Sequence, residues 1–160
     1  MPDAVLLKQA ESILQRCKAK GFMMSTAESC TGGMLGALFT EIPGSSAAYE
    51  GGVVSYSNTL KHHLLGVPQE LLDQHGAVSK QAAEHMARGM QAKAGSDIAI
   101  SVTGIAGPGG GTAEKPVGLV YIGLMTGNHV KVEECRFTGD RAAIRQQTVE
   151  RCLQLVSDAL

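Results

Sequence analysis

The sequence predicts an α/β fold in which helices cover both faces of a mixed, mostly parallel sheet. Apolar repeats at helical spacing alternate with short runs rich in β-branched residues, which is typical of this class. The last two strand-like runs flank Gly127-Asn128, a turn that favours an antiparallel hairpin. Because 160 residues fall within the usual size of one domain, we expect a single three-layer α/β/α domain over residues 1–160.

The first half of the chain supplies two predicted strands and two helices. Leu6, Ala10, Ile13 and Leu14 share one face of a first helix that stops at Lys20-Gly21. The Gly-rich turn over 28–33 separates a short strand from an apolar helix. In chain order the predicted elements are a helix over 4–19, a strand over 22–27, a helix over 34–39 and a strand over 52–57 that ends at Asn58.

The second half supplies the remaining elements. Pro68 fits the first turn of a helix that stops near Gly76, while Ser79 and Asp140 are good N-caps for two longer helices. The glycine-rich segment 105–116 must be a loop, and its length favours a functional role. The predicted elements are helices over 61–65, 68–76, 81–94 and from 141 onward, and strands over 98–102, 117–125 and 129–137.

Composition and charge exclude several classes of function. The formal net charge of −1 comes with no cluster of Lys or Arg, so we expect no nucleic-acid partner. No apolar run approaches the roughly 20 residues that span a bilayer, and the amino terminus lacks the pattern of a signal peptide. The four cysteines form no C-x-x-C pair, which favours reduced thiols and a cytoplasmic location.

The turn between the first strand and the second helix is the first candidate site. It combines Ser29 and Thr31 with Gly32 and Gly33 at a helix start, where free backbone N–H groups favour an anion such as phosphate. The alternative is that Ser29 or Thr31 only caps the helix.

A serine and a lysine further along the chain suggest acyl-transfer chemistry. Ser46 lies in a tight turn that could expose its oxygen beside backbone amides, although Ser is a common turn residue. Tyr56 lies at the end of the predicted second strand and Lys61 follows it, and Lys61 could act as a base only if burial lowers its pKa. His62 and His63 are consecutive and cannot by themselves share a metal.

The edge reached by the third strand carries further candidates. Thr103 and Gly104 lead into the glycine-rich loop, whose Gly107 can approach a ligand closely. The loop matches neither the P-loop nor the dinucleotide fingerprint, so ATP and NAD are unsupported. Arg141 and Arg145 share a helix face that suits a phosphate or carboxylate, unless they form a solvated surface.

Taken together, the motifs resemble the CinA carboxy-terminal domain family over nearly the whole chain. The segments that carry the resemblance are Ala27–Gly33, Gly52–Asn58, Gly76–Ser79, Thr103–Pro108, Pro116–Gly118 and Gly139–Arg141. The stand-alone members of that family are nicotinamide-nucleotide amidases, so the resemblance implies hydrolysis of nicotinamide mononucleotide to nicotinate mononucleotide and ammonia in pyridine nucleotide salvage. It implies no metal or organic cofactor and suggests a homodimer.

The resemblance also implies roles for individual residues. Its serine and lysine chemistry corresponds to Ser46 and Lys61, with Tyr56 orienting the lysine or relaying a proton. It also implies supporting or substrate-binding roles for Ser29, Thr103 and Arg145. From the turn and the glycine loop we expect Thr31, Gly32, Gly104 and Gly107 to contact the substrate as well. Many relatives carry an additional amino-terminal domain that hydrolyses ADP-ribose, and we expect that second activity to be absent here.

Three alternatives stay open from the sequence. Ser29 or Cys30 could be the nucleophile instead of Ser46, since a helix start lowers the pKa of a thiol. The chain could also be a nucleotide-binding regulatory protein with no turnover, or hydrolyse some other small amide.

Overall fold

Five runs of apolar and β-branched residues form one sheet in the computed structural model, which describes residues 3–160. The strands are β1 (Met24–Glu28), β2 (Tyr49–Val54), β3 (Ile98–Gly104), β4 (Leu119–Thr126) and β5 (His129–Arg136). The helices are α1 (Ala4–Lys20), α2 (Met34–Thr40), α3 (Asn58–Leu65), α4 (Gln69–His75), α5 (Lys80–Ala94) and α6 (Arg141–Ala159), and a single 3-10 turn covers Ser45–Ala47.

The strand order is β2-β1-β3-β4-β5. Strands β2, β1 and β3 run parallel, whereas β3–β4 and β4–β5 pair antiparallel. The carboxyl ends of the three parallel strands therefore meet at one edge of the sheet. Helices α1, α2 and α6 pack on one face, and α3, α4 and α5 pack on the other, each over its own apolar core.

Local signals explain where most helices begin and end. The side chains of Asp3, Ser57, Ser79 and Asp140 accept hydrogen bonds from backbone N–H groups in the first turns of α1, α3, α5 and α6. Left-handed Gly21 ends α1 with the backbone angle that glycine adopts most readily.

The structure confirms the predicted fold class, the antiparallel hairpin and the capping roles of Ser79 and Asp140. The second strand, predicted over 52–57, instead covers Tyr49–Val54. Its pairing with β1 ends where Glu28 faces Val54, and Ser57 is already committed to capping α3. This shift matters for the site, because it moves Tyr56 off the strand and into the loop that follows β2.

Three further expectations concern the cysteines, the membrane and the homodimer. All four cysteines are buried and free. None of the helices in residues 3–160 has the length and apolar character needed to cross a membrane. The homodimer stays a prediction.

Candidate active site

Three loops gather where the parallel strands end. Ser29 directly follows β1, Ser55 and Tyr56 follow β2, and the loop containing Gly107 follows β3. The carboxyl edge of parallel strands is the usual ligand-binding position in α/β sheets. The fold therefore brings most of the sequence-predicted residues to one place.

Lys61 is the buried cation of this site. Helix α3 carries it inward until only 1% of the residue is exposed. Its Nζ lies 3.0 Å from Ser29 Oγ, 2.8 Å from the carbonyl oxygen of Ser55 and 3.1 Å from that of Tyr56. Burial lowers the pKa of Lys61 from 10.5 to about 8.

These contacts determine the direction of proton transfer. The two carbonyl oxygens can only accept, so a neutral Lys61 amine donates both of its N–H groups to them. Its lone pair then points at the remaining neighbour, the Ser29 hydroxyl. In this geometry Lys61 can remove the proton from Ser29.

Glu28 occupies the amino terminus of α2. Its carboxylate, only 2% exposed, accepts from the backbone N–H of Leu35 at 2.9 Å, the N–H of Gly36 at 3.0 Å and the Thr31 hydroxyl at 2.6 Å. These two N–H groups are thus used within the chain and are not free for a phosphate. The N-cap of α2 is Gly33, with no side-chain hydrogen bond, so the alternative that Ser29 or Thr31 caps the helix is wrong. Binding of an anion by the other N–H groups of the turn stays a prediction.

Thr31 and Thr103 are buried, and each hydroxyl already has a partner. Thr31 donates to Glu28, and Thr103 donates to the carbonyl oxygen of Ala77 at 2.8 Å. A donating hydroxyl can still accept a hydrogen bond. Both residues therefore stabilise the loops of the site, and their predicted contacts with a substrate stay predictions.

The glycines of the site allow close approach of the backbone. Gly32 and Gly107 adopt positive φ angles of 59° and 79°, which other residues rarely adopt. A Cβ on Gly104 would lie 2.9 Å from the carbonyl oxygen of Leu119 on the neighbouring strand. These positions need glycine for the shape of the site whether or not they contact a ligand.

Two arginines of α6 connect the loops. Arg145 donates to the carbonyl oxygens of Cys30 and Thr31, both at 3.1 Å, and so fixes the turn that follows Ser29. Arg141, one helical turn earlier, donates to the carbonyl oxygen of Gly107 at 2.7 Å and to the Tyr56 hydroxyl at 3.2 Å. Both side chains reach the loops of the site from one face of α6, and their predicted contact with a phosphate or carboxylate stays a prediction.

Ser46 does not lie beside Lys61. It is exposed in the 3-10 turn before β2, whereas Lys61 lies beyond the other end of that strand. Strand β2 has six residues, and a strand rises about 3.3 Å per residue, so the two side chains are on the order of 20 Å apart. The predicted Ser46–Lys61 contact is therefore not present within the chain, and Ser29 occupies that position.

Tyr56 and Cys30 lie next to the Ser29–Lys61 pair, but neither replaces Lys61 as the base or Ser29 as the nucleophile. Tyr56 is 60% exposed, and it contacts Lys61 through its backbone carbonyl rather than its phenol. Burial raises the pKa of the Cys30 thiol to about 11, which keeps it protonated at neutral pH. The predicted activation of this cysteine by the helix start is not supported.

Sequence reasoning missed two contributions to the site. Glu28 received no role, although a carboxylate at the end of a buried strand and just before a helix start was a usable signal. The carbonyl oxygens of Ser55 and Tyr56 have no signature in the sequence, because backbone atoms are common to all residues. Among residues 3–160, no cluster of three or more His, Cys, Asp or Glu side chains could hold a metal ion.

Residues 6–160 match the model of the CinA C-terminal domain. A CinA-like protein of Thermotoga maritima is 44% identical over 147 residues, which are 92% of this chain and 36% of that protein. A protein of Enterobacter agglomerans named nicotinamide-nucleotide amidohydrolase PncC is 50% identical over 138 residues, which are 86% of this chain and 84% of that protein. The chain spans about a third of the length of several other curated relatives it matches.

The fold is also similar to solved structures. The crystal structure of the competence/damage inducible protein CihA from Agrobacterium tumefaciens superposes with a TM-score of 0.96 at 42% identity, covering 99% of this chain and 97% of that one. A competence-damaged protein (CinA) superfamily structure from Escherichia coli gives a TM-score of 0.94 at 28% identity, covering 100% and 94%.

Proposed function

Because the chain belongs to the CinA C-terminal domain family, we propose that it is an amidase that hydrolyses nicotinamide mononucleotide to nicotinate mononucleotide and ammonia. The observation that carries the proposal is the buried Lys61 amine aimed at the Ser29 hydroxyl at 3.0 Å. The name of the Enterobacter agglomerans relative supports the substrate. Removal of this amide nitrogen would serve pyridine nucleotide salvage.

The reaction begins with a proton transfer. Neutral Lys61 takes the proton of Ser29, and the serine oxygen attacks the carboxamide carbon of the nicotinamide ring. Backbone N–H groups of the turn after Ser29 stabilise the negative charge that develops on the carbonyl oxygen, and Arg145 holds that turn in shape. The protonated Lys61 then donates to the departing nitrogen, which leaves as ammonia.

Water completes the cycle. The first step leaves the nicotinoyl group of the nucleotide as an ester on Ser29 and returns Lys61 to its neutral form. Lys61 next removes a proton from a water molecule, which attacks the ester carbon and releases nicotinate mononucleotide. Ser29 takes the proton back, so the enzyme returns to its starting state.

The other site residues hold this arrangement and contact the nucleotide. The carbonyl oxygens of Ser55 and Tyr56 aim the Lys61 lone pair at Ser29. Thr103, Gly104 and Gly107 place the backbone beside the space above Ser29, where the ribose and ring would lie. Thr31 and Gly32 shape the turn that contacts the carboxamide.

The test compares Ser29→Ala with Ser46→Ala, the same substitution at the two candidate serines. Release of ammonia and of nicotinate mononucleotide from nicotinamide mononucleotide is measured for both variants and for wild type. We expect a loss on the order of 10³-fold or more in Ser29→Ala. The Ser46→Ala variant should retain wild-type turnover.

Each outcome has a separate meaning. Trapping a nicotinoyl nucleotide ester on the peptide that contains Ser29, by acid quench and mass spectrometry, would support the covalent step. Loss of turnover in Ser46→Ala with retention in Ser29→Ala would return the nucleophile to Ser46. Absence of turnover by wild type together with tight nucleotide binding would favour a regulatory protein.

A further inference from the structure

Arg141 carries a positive charge that no acidic side chain balances. Its two hydrogen-bond partners, the carbonyl oxygen of Gly107 and the Tyr56 hydroxyl, are both neutral. Within residues 3–160, the ion pairs closer than 4.0 Å join other residues, and none includes Arg141 or Arg145. The one carboxylate of the site, Glu28, is already bound to α2 and Thr31.

Arg141 and Arg145 differ in whether their N–H groups remain available to a ligand. Arg145 is half-buried, and both of its contacts hold the Ser29 turn. Arg141 is exposed and lies at the mouth of the site, with N–H groups left over for a ligand. A guanidinium that is already held by two neutral partners loses little conformational freedom when an anion binds.

Tyr56 lies between Arg141 and the Ser29–Lys61 pair, so its length indicates how far apart they are. Its backbone carbonyl accepts from Lys61, and its hydroxyl accepts from Arg141. Arg141 is thus separated from the Ser29–Lys61 pair by about the length of a tyrosine residue. In nicotinamide mononucleotide the carboxamide and the phosphate also lie at opposite ends of the molecule.

We infer that Arg141, oriented by Tyr56 and the Gly107 carbonyl, binds the phosphate of the nucleotide substrate and makes the site selective for nucleotides over nucleosides. This assignment rests on the proposed function. A phosphate dianion would balance the charge of Arg141, which no carboxylate contacts, and could accept paired hydrogen bonds from its guanidinium.

The experiment compares nicotinamide mononucleotide with nicotinamide riboside, which lacks the phosphate. In Arg141→Gln we expect kcat/KM for the mononucleotide to fall about 10- to 100-fold, as for other lost charge-assisted hydrogen bonds. The value for the riboside should fall by a clearly smaller factor, because the riboside loses only the support that Arg141 gives Tyr56 and the Gly107 loop and no phosphate contact. Arg88→Gln, which removes an exposed arginine paired with Glu84 on α5, is the matched control and should affect neither substrate.

An equal fall for both substrates would overturn the inference, because Arg141 would then only position Tyr56 and the glycine loop. Calorimetric titration of both compounds separates this result from failure of the proposed function. Another outcome is that wild type hydrolyses neither compound and yet binds the mononucleotide at least 10-fold more tightly than the riboside. If Arg141→Gln then removes that preference, the phosphate assignment stands although the proposed function fails. Binding without such a preference, or no binding, would refute it.

Discussion

Burial of Lys61 gives the proposed amidase a pH dependence in a defined direction. A pKa of about 8 instead of 10.5 leaves about one lysine in ten neutral at pH 7, so burial raises the neutral population about 300-fold. Only the neutral amine can accept the Ser29 proton. We therefore expect kcat/KM for nicotinamide mononucleotide to rise about tenfold from pH 7 to pH 9 and then level off.

Other titrations do not mimic this rise. The second pKa of a phosphate monoester is about 6, so the substrate is already a dianion over this range. The Cys30 thiol, with its pKa raised to about 11, stays protonated. A rise centred near pH 8 would thus report Lys61.

The assay is a series of initial rates of ammonia release at fixed ionic strength, with Lys61→Arg as the control. A guanidinium keeps its charge at every pH tested, so this variant should lose activity by about 10²- to 10⁴-fold and show no rise. Equal wild-type rates at pH 7 and pH 9, or a fall with pH, would refute the role of Lys61 as base.

Three further predictions concern stability, each measured as the free energy of unfolding in urea. Between pH 8 and pH 10.5 the unfolded chain binds a proton at Lys61 that the folded chain has lost. The free energy of unfolding of wild type should therefore rise by about 3 kcal/mol relative to that of Lys61→Met as pH increases through this window. If the free energies of the two proteins changed equally with pH, the lowered pKa would be contradicted. Glu28→Gln should cost about 2–3 kcal/mol, because it weakens hydrogen bonds to the start of α2, whereas the exposed Glu50→Gln should be neutral. Gly52→Ala should cost about 1–3 kcal/mol, since the new Cβ would lie 2.2 Å from Thr26 Oγ1, and an unchanged midpoint would show that β2 can shift.

Much of the fold could be predicted because its signals are local. Helix faces repeat within a few residues, and a cap such as Asp140 lies next to the turn it stabilises. Strand ends are harder to predict, because pairing with a distant partner determines them. The carboxyl end of β2 is set by its register with β1, which composition does not encode.

The sequence identified most residues of the candidate site, but not which serine lies beside the lysine. Ser29, Lys61 and Arg145 were all identified, yet the family resemblance paired Lys61 with Ser46, which is 15 positions away, rather than with Ser29, which is 32 positions away. The Ser46 pairing does not hold within the chain because β2 lies between Ser46 and Lys61 and separates them by its full length. The rule that parallel strands present ligands at their carboxyl ends would have favoured Ser29, which follows β1 directly.

The same topology explains how a lysine can act as a base in this site. A carboxylate beside Lys61 would favour the ammonium form and raise its pKa, so acidic groups must be kept from its Nζ. Glu28 is only one residue from Ser29, but its charge is directed to the N–H groups of α2 on the other side of the turn. The partners that remain for Lys61 are two carbonyl oxygens and a hydroxyl, which orient the amine without charging it. Capping of α2 by Glu28 and the basicity of Lys61 are therefore linked, and a substitution that freed the Glu28 carboxylate toward Ser29 would raise the pKa of Lys61 and lower activity at neutral pH.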